Sequence, residues 1–264
     1  MIDGKKIALV LSGGASKGFA HIGVIKILEK NGIVPDMIVG TSMGSVIGGL
    51  YACGMSVDEI ETQCKKLKLK DFVDVNIFDI WRQGVVTGKK MTKYIDELMH
   101  GATIENAKIK FACVACDLRT GNEFIFKEGK LSVATRVSSS IPGLFAPYKY
   151  RDMLLVDGGV INNNPTSVAR DMGADYIISV DCIGSHYLMP KLKNMFDILM
   201  CSFNIQQFHY EKCKKKFSNV KIVINNNKYS FMDLGEKAVG EIIGFGERAT
   251  KKKLAKIKRD LHML

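Results

Sequence analysis

The sequence predicts an α/β protein with three layers, in which a mainly parallel central sheet carries helices on both faces. Two observations support this prediction. Short apolar runs alternate along the chain with segments of helical periodicity, an order that is typical of parallel sheets. The runs are continuously apolar, as expected for strands that are buried on both sides.

The individual elements follow from these patterns. Strands are predicted at 7–11, 34–39, 110–116, 153–156, 174–180 and 220–224, with a hairpin return at 123–126. Helices are predicted at 22–31, 43–53, 57–67, 91–99 and 131–140, after Pro165, and over 235–264 as one helix or two. Ser56 and Glu59 have capping-box spacing, and Asn164 is predicted to cap the helix that Pro165 begins.

Composition indicates an ordinary soluble globular protein, since 47% of the 264 residues are apolar and 25% are charged. No linker interrupts the chain, so we expect a single domain, 1–264, with core motifs at 5–182 and a helical, basic region at 190–264. The first apolar run is too short for a signal peptide. The seven cysteines are scattered, and we expect them to be reduced in a cytoplasmic protein.

Metal, cofactor and nucleic-acid binding are not expected. Cys113 and Cys116 have Cys-x-x-Cys spacing, but they lie within a predicted strand and no second pair accompanies them. The formal net charge of +11 suits an anionic partner, either nucleic acid or an acidic membrane surface. A solvated basic surface is the simpler explanation for most of this charge, and we predict no nucleic-acid partner.

Residues 40–44 read Gly-Thr-Ser-Met-Gly where a predicted strand meets a predicted helix. A nucleophile elbow needs this context, because its serine lies on a tight strand-to-helix turn. Gly40 and Gly44 lack side chains where backbone segments must approach closely. The alternative interpretation is a tight turn in which Ser42 only caps the helix.

A glycine-rich loop, 12–18, joins the first strand to the first helix and presents backbone N–H groups where anions bind. A Walker phosphate loop is excluded, because Phe19 follows Gly18 where lysine is required. Two interpretations remain open. One is a loose dinucleotide fingerprint with Asp36 as the ribose contact, and the other is an oxyanion hole that faces Ser42.

Aspartates follow three predicted strands, at the edge of the sheet where α/β proteins form their sites. We favour Asp157 as the base for Ser42, since the two glycines after it permit a sharp turn. Asp117 and Asp181 are candidates for the more common role of an aspartate after a strand, which is to form a turn or cap a helix.

A histidine-based triad is the competing arrangement. The order serine, acid, histidine allows Ser42, Asp157 and His186, which lies in the loop after the fifth predicted strand. Three other histidines lie on predicted helices: His21, His209 and His262.

Four segments together resemble the motifs of bacterial patatin-like phospholipases. They are the glycine loop with the helix start after it, the Gly-x-Ser-x-Gly turn, a Ser-Ser-Ser-Ile-Pro segment and an Asp-Gly-Gly segment: residues 13–24, 40–45, 138–147 and 157–165. The resemblance covers residues 5 to about 182 and is less distinct after them. It implies a patatin-like fold, hydrolysis of phospholipids or other acyl esters, and a dyad of Ser42 and Asp157 without histidine.

The resemblance also maps the family's oxyanion motif onto the glycine loop. Its candidate donors are the backbone N–H groups of Gly13, Gly14 and Ala15, and Lys17 stands where the family carries arginine or lysine. Ala15 departs from the commonest pattern, which has a third glycine there. We expect the hole to survive this change if Ala15 does not need a positive φ.

The C-terminal region bears on membrane contact. A basic run at 248–259 accompanies Leu254, Ile257 and Leu261, which have helical spacing. Such a helix can lie on an anionic bilayer, at the inner face of the membrane in a cytoplasmic protein. More commonly, the apolar side chains of such a helix face the protein core and its lysines are exposed to solvent.

Three functions therefore stay open. The leading one is a serine acyl hydrolase that acts on lipid esters. A dinucleotide-binding protein would leave Ser42 and Asp157 unexplained. A catalytically weak relative that binds lipid or a protein partner is the third.

Overall fold

A computed structural model of the chain describes residues 1–68, 86–184, 195–213, 217–226, 228–229 and 233–263. These residues contain one eight-stranded sheet. The strands are β1 (Ile7–Leu11), β2 (Met37–Thr41), β3 (Lys110–Asp117), β4 (Glu123–Phe126), β5 (Tyr148–Tyr150), β6 (Met153–Asp157), β7 (Tyr176–Asp181) and β8 (Val220–Val223). The α-helices are α1 (Ala20–Lys30), α2 (Met43–Ala52), α3 (Val57–Lys66), α4 (Lys89–Leu98), α5 (Leu131–Ser138), α6 (Thr166–Asp171), α7 (Met195–Cys213) and α8 (Glu236–Asp260).

The sheet order is β5-β6-β3-β2-β1-β7-β8, and β4 pairs with β3 outside this path. The five strands from β3 to β8 in this order are parallel, whereas β4, β5 and β6 join by antiparallel pairing. The predicted fold class, a mainly parallel sheet, is therefore confirmed. The hairpin return predicted at 123–126 is also confirmed, as β4.

Apolar side chains cover the sheet on both faces. The larger cluster includes Ile7, Leu9 and Ile38 and packs against α1, α2, α3, α4, α5 and α8. The smaller cluster includes Val10 and Val39 and packs against α6. Alternate residues of one strand thus enter opposite cores, which explains why the strands read as continuous apolar runs.

Helices α1 and α8 cross in backbone contact. A Cβ atom on Gly23 would lie 2.1 Å from the carbonyl oxygen of Ile243, and one on Gly246 would lie 2.0 Å from that of Ala20. Both positions therefore require glycine. The C-terminal region forms one helix here, α8, and not two.

The basic run of α8 lies away from the carboxyl edge of the sheet. At the end of this helix Asp260 accepts hydrogen bonds from Lys5 and Tyr176, which lie at the amino ends of β1 and β7. Ile257 and Leu261 are fully buried, so the stripe faces the core. Most of the lysines around it are exposed.

Of the two helix caps predicted from the sequence, one is correct and one is wrong. Ser56 and Glu59 form the predicted capping box of α3. The cap predicted at Asn164 is wrong, since α6 begins one residue later with Pro165 at its N-cap position and no side-chain cap. Strand β2 begins at Met37 and not at 34, because Pro35 precedes it and Asp36 turns back to bind β1.

None of the described helices combines the length and the apolar character that crossing a membrane requires.

Candidate active site

Ser42 lies on a sharp turn between β2 and α2 with φ 53° and ψ −129°. A non-glycine residue rarely adopts this conformation, which stores strain of about 1–3 kcal/mol and is found mainly at functional sites. The flanking glycines make the turn possible. A Cβ on Gly40 would lie 2.5 Å from the Cα of Ser45, and one on Gly44 would lie 2.2 Å from the carbonyl oxygen of Leu11. The turn has the geometry of a nucleophile elbow.

Asp157 ends β6 and faces this turn. The Ser42 hydroxyl donates a hydrogen bond of 2.6 Å to Oδ2 of Asp157. The N–H of Gly159 donates one of 2.7 Å to the other carboxylate oxygen, Oδ1. A Cβ on Gly158 would lie 2.2 Å from the carbonyl oxygen of Val114, so the Gly-Gly pair does permit the close backbone approach that the sequence suggested.

Burial governs the charge of this carboxyl group. Asp157 is 2% exposed, and the loss of hydration raises its pKa to about 6, against the opposing effect of the hydrogen bonds from Ser42 and Gly159. A base with a pKa close to neutrality is ionised at pH 7 and still binds a proton readily. The carboxylate is therefore suited to accept the Ser42 proton.

The glycine loop lies directly beside Ser42. A Cβ on Gly13 would lie 3.1 Å from that of Ser42. The N–H of Gly13 donates to the carbonyl oxygen of Asn163 at 3.2 Å, which removes Gly13 from the predicted oxyanion donors. The N–H groups of Gly14 and Ala15 make no hydrogen bond to the described residues, so they are the two predicted donors that stay available.

Ala15 has φ 47°. The condition set from the sequence, that Ala15 should not need a positive φ, is therefore not met, and a glycine would be unstrained at this position. Alanine keeps the N–H group in the same place at a cost of about 1–2 kcal/mol.

Lys17 and His21 lie buried behind the loop. The backbone N–H of Lys17 donates to the carbonyl oxygen of Gly14, and burial lowers the pKa of its ammonium group, opposed by the nearby thiols of Cys182 and Cys201. His21 donates through Nε2 to the carbonyl oxygen of Ser12 at 2.8 Å, and burial lowers its pKa to about 4. A neutral histidine in this position supports the loop.

Sequence reasoning assigned no role to Ser138, which holds the backbone of Ser42. Its hydroxyl accepts the N–H of Ser42 at 3.0 Å and donates to the carbonyl oxygen of Val114 at 2.7 Å. The hydroxyl of Ser45 donates to the carbonyl oxygen of Ser42 at 2.6 Å. Both polar groups of the strained Ser42 backbone are thus held by side chains, and the contact from Ser138, 96 residues away, leaves no local pattern in the sequence.

The other candidate residues do not contact the hydrogen-bonded pair of Ser42 and Asp157 among the described residues. Asp117 accepts from the N–H groups of Arg119 and Leu154 and forms a turn. Asp181 likewise binds backbone N–H groups of its own loop. His186 lies outside the described residues.

Asp36 lies at the amino edge of the sheet, where it accepts from the N–H of Ile7 at 2.8 Å and from the N-terminal amine of Met1. The glycine loop is at the opposite, carboxyl edge of β1. Asp36 therefore cannot contact the ribose of a dinucleotide that is bound at this loop, which removes the basis of that interpretation.

No group of metal-ligating side chains occurs among the residues described above.

The family model for patatin-like phospholipases matches residues 9–170, which include the loop, the elbow and Asp157. The chain belongs to the patatin-like phospholipase family. The resemblance found in its motifs is therefore confirmed.

Over the aligned segments, two relatives are identical to this chain at about a third of the positions. An uncharacterised NTE family protein of Mycobacterium tuberculosis is 34% identical over 180 residues, which are 68% of this chain and 50% of that protein. A lysophospholipase NTE1 of Candida albicans is 32% identical over 194 residues, which are 70% of this chain and 14% of that protein. The chain thus spans half the length of the mycobacterial relative and a small part of the yeast one.

Two solved structures share the fold. VipD from Legionella pneumophila superposes with a TM-score of 0.61 at 14% identity and covers 96% of this chain and 67% of that one. The type III effector protein ExoU superposes with a TM-score of 0.56 at 13% identity, and the match covers 96% of this chain and 53% of that one. At this identity the likeness concerns the fold alone.

Proposed function

We propose that this protein is a serine acyl hydrolase that cleaves lipid esters, with Ser42 as nucleophile and Asp157 as base. The observation that carries the proposal is the 2.6 Å hydrogen bond from the Ser42 hydroxyl to a buried carboxylate whose pKa lies near neutrality. Membership of the patatin-like phospholipase family supports the reaction class.

In the proposed reaction, the Ser42 oxygen attacks the ester carbonyl while Asp157 accepts its proton. The alcohol leaves with a proton returned from Asp157, and an acyl group remains on Ser42. Water, deprotonated by the same carboxylate, then releases the fatty acid. Each step uses the raised pKa of Asp157, because a carboxylate of ordinary pKa is a poor proton acceptor from serine.

The N–H groups of Gly14 and Ala15 are proposed to bind the negative oxygen that forms during attack. They belong to the loop that packs against Ser42, and no described acceptor occupies them. A donor in this role typically contributes about 3–4 kcal/mol to transition-state stabilisation.

The substrate is proposed to be a phospholipid, a lysophospholipid or another acyl ester, since the yeast relatives are named lysophospholipases. The proposed site belongs to a single domain, and the one sheet that contains all the described strands supports this. Cytoplasmic location stays a prediction from the sequence.

Contact with a lipid surface is proposed to occur through α7 and not through the basic run of α8. Gln207 on the buried face of α7 bonds to Gly159, so α7 lies beside the dyad, whereas the basic run extends towards the opposite edge of the sheet. Large apolar side chains of α7 are exposed to solvent: Ile198, Leu199, Ile205 and Tyr210. Such clustering is typical of an interaction surface.

The test is hydrolysis of p-nitrophenyl esters of increasing chain length and of phospholipid vesicles. Ser42→Ala and Asp157→Asn should abolish turnover, while Asp152→Asn, on an exposed turn, is the matched control and should retain it. His186→Ala should also retain turnover, and its loss in a folded protein would replace the dyad with a triad. No turnover by the wild type on any ester would refute the proposed activity and favour a lipid-binding relative.

A further inference from the structure

The two residues of the proposed dyad lie on strands that are not neighbours. Ser42 follows β2 and Asp157 ends β6, and β3 lies between these strands in the sheet. Neighbouring strands are about 4.8 Å apart, so two such spacings separate the backbones from which the paired side chains extend. The 2.6 Å hydrogen bond between the side chains therefore requires that both strand ends are held in place across β3.

A segment of three serines, residues 138–140, spans this gap, and we call it the serine bridge. The hydroxyl of Ser138 accepts the N–H of Ser42 at 3.0 Å and donates to a carbonyl oxygen of β3 at 2.7 Å. Two residues later, the carbonyl oxygen of Ser140 accepts the N–H of Asp157 at 2.9 Å. The serine bridge thus binds the backbones of both dyad residues and the strand between them.

Arg136 anchors the Ser140 end of the serine bridge. It is 2% exposed, and its guanidinium group donates to the hydroxyl of Ser140. The same group donates to the carbonyl oxygens of Thr87 at 2.7 Å and Ala146 at 3.2 Å, which belong to two other segments of the chain. One buried side chain therefore ties the serine bridge to the structure around it.

The surroundings of Arg136 suit a guanidinium group and not an ammonium group. The ring centres of Phe145 and Tyr148 lie 5.5 Å and 5.7 Å from its central carbon. Gly88 leaves room for the group, since a Cβ there would overlap Nε of Arg136. Arginine presents five donors in a planar fork and stacks on aromatic rings, whereas lysine is a flexible point charge. The anchor therefore depends on the shape of the arginine side chain and not only on its charge.

We propose that Arg136 is a positioning residue for the dyad, which fixes the serine bridge and thereby the separation of Ser42 and Asp157. The inference rests on the proposed acyl hydrolysis and deepens it. Arg136 acts through Ser140 and not on the substrate. Without the anchor the serine bridge shifts, and the Ser42 hydroxyl is no longer aligned with the carboxylate. A displacement of about 1 Å in a reacting group can lower a rate about a hundredfold.

The experiment measures kcat, KM and the pH profile of kcat/KM on a soluble p-nitrophenyl ester. Arg136→Lys keeps the positive charge and loses the planar fork. The matched control is Arg119→Lys, which changes an exposed arginine that also donates to a backbone carbonyl oxygen. Arg136→Lys should lower kcat by about tenfold to a hundredfold and leave KM within about twofold, while Arg119→Lys should change neither.

The pH profile gives a readout that a purely structural role would not change. Burial raises the pKa of Asp157, and the hydrogen bond from Ser42 opposes this rise. Loss of that hydrogen bond should therefore raise the apparent pKa of kcat/KM in Arg136→Lys above the wild-type value. A lower urea midpoint with unchanged kcat and an unchanged pH profile would mean that Arg136 only stabilises the fold, and this result overturns the inference.

Ser140→Ala provides a second perturbation if Arg136→Lys folds poorly. It removes the hydroxyl that Arg136 binds and keeps the carbonyl oxygen that holds Asp157. Since both substitutions break the same connection, the double variant should lose no more kcat than the more impaired single variant. Wild-type kcat in Ser140→Ala, or losses that multiply in the double variant, would show that Arg136 does not act through the serine bridge.

The titration of Asp157 separates this inference from the proposed activity. Carbon-13 NMR follows the carboxyl group in the wild type and in Arg136→Lys, and Asp157→Asn identifies its signal. A higher pKa in Arg136→Lys supports the positioning role even if the wild type hydrolyses no ester, in which case the proposed activity alone falls. An equal pKa in both proteins contradicts the positioning role, whatever the turnover.

Discussion

Replacing Asp157 by asparagine measures how much the buried, ionised carboxylate lowers the free energy of unfolding. Its pKa rises from 3.8 to about 6 on burial. Each pKa unit corresponds to 1.36 kcal/mol, so the ionised group destabilises the native state by about 3 kcal/mol at pH values above 6. Asparagine carries no charge, and its side chain retains an acceptor for the N–H of Gly159.

The sign of the pH dependence follows from where the proton is bound. Between about pH 4 and pH 6 the native protein holds a proton on Asp157 that the unfolded chain has lost, so the free energy of unfolding falls as the pH rises. The protonated carboxyl group therefore stabilises the native state fully at pH values below the pKa of Asp157 in the unfolded chain. This stabilisation is lost as the pH rises through the pKa of Asp157 in the native protein. Asp157→Asn lacks this dependence and should gain relative stability with increasing pH.

The assay is urea unfolding of the wild type, Asp157→Asn and the exposed control Asp152→Asn, from about pH 4 to about pH 8. The difference between wild type and Asp157→Asn should change by about 3 kcal/mol over this range, while the difference from Asp152→Asn should change far less. A difference that stays constant with pH would refute the reasoning, since it would mean that Asp157 has the same pKa in the native and unfolded states.

The wild-type kcat/KM should rise with pH through an apparent pKa near 6.

Three further substitutions test the backbone around the site. Ser138→Ala leaves the buried N–H of Ser42 without an acceptor, and we expect about 1–3 kcal/mol loss in urea unfolding and a fall in kcat with little change in KM; Ser138→Thr should restore kcat. Ala15→Gly removes the strain of a positive φ and should raise the free energy of unfolding by about 0.5–1 kcal/mol without loss of activity. A lower free energy of unfolding in this variant would show that the Ala15 backbone is not strained. Gly44→Ala places a Cβ 2.2 Å from the carbonyl oxygen of Leu11, so we expect a lowered Tm by thermal unfolding and no turnover; an active, stable variant would show that the turn tolerates a side chain.

The sequence predicts the parts of this site that depend on short segments. The elbow around Ser42 and the turn after Asp157 each need glycines next to the functional residue, and these requirements are visible locally. Strand β2 carries Ser42 to the carboxyl edge of the sheet, whereas β6 runs antiparallel and brings Asp157 to the same place because Asp157 pairs with Ala115, next to the β3 residue opposite Thr41.

The parts that the sequence does not predict depend on contacts between distant segments. The hydroxyl of Ser138 reaches Ser42 across 96 residues, and the amide of Gln207 reaches Gly159 across 48. Strand β5 has only three residues, which is too short a segment to predict from its own pattern, and it is defined by its pairing with β6. The positive φ of Ala15 is likewise set by the loop around it and not by its own preference.

The backbone crossing of α1 and α8 has a consequence for the order in which the protein is made. The two candidate oxyanion donors that stay available, Gly14 and Ala15, lie a few residues before α1, and α1 packs against a helix that starts only at Glu236. During synthesis, the ribosome therefore releases Ser42, the glycine loop and Asp157 long before the helix that packs behind them. A nascent chain carries all of its candidate catalytic groups without a supported loop, so we expect its ester hydrolysis to begin only after α8 has left the exit tunnel.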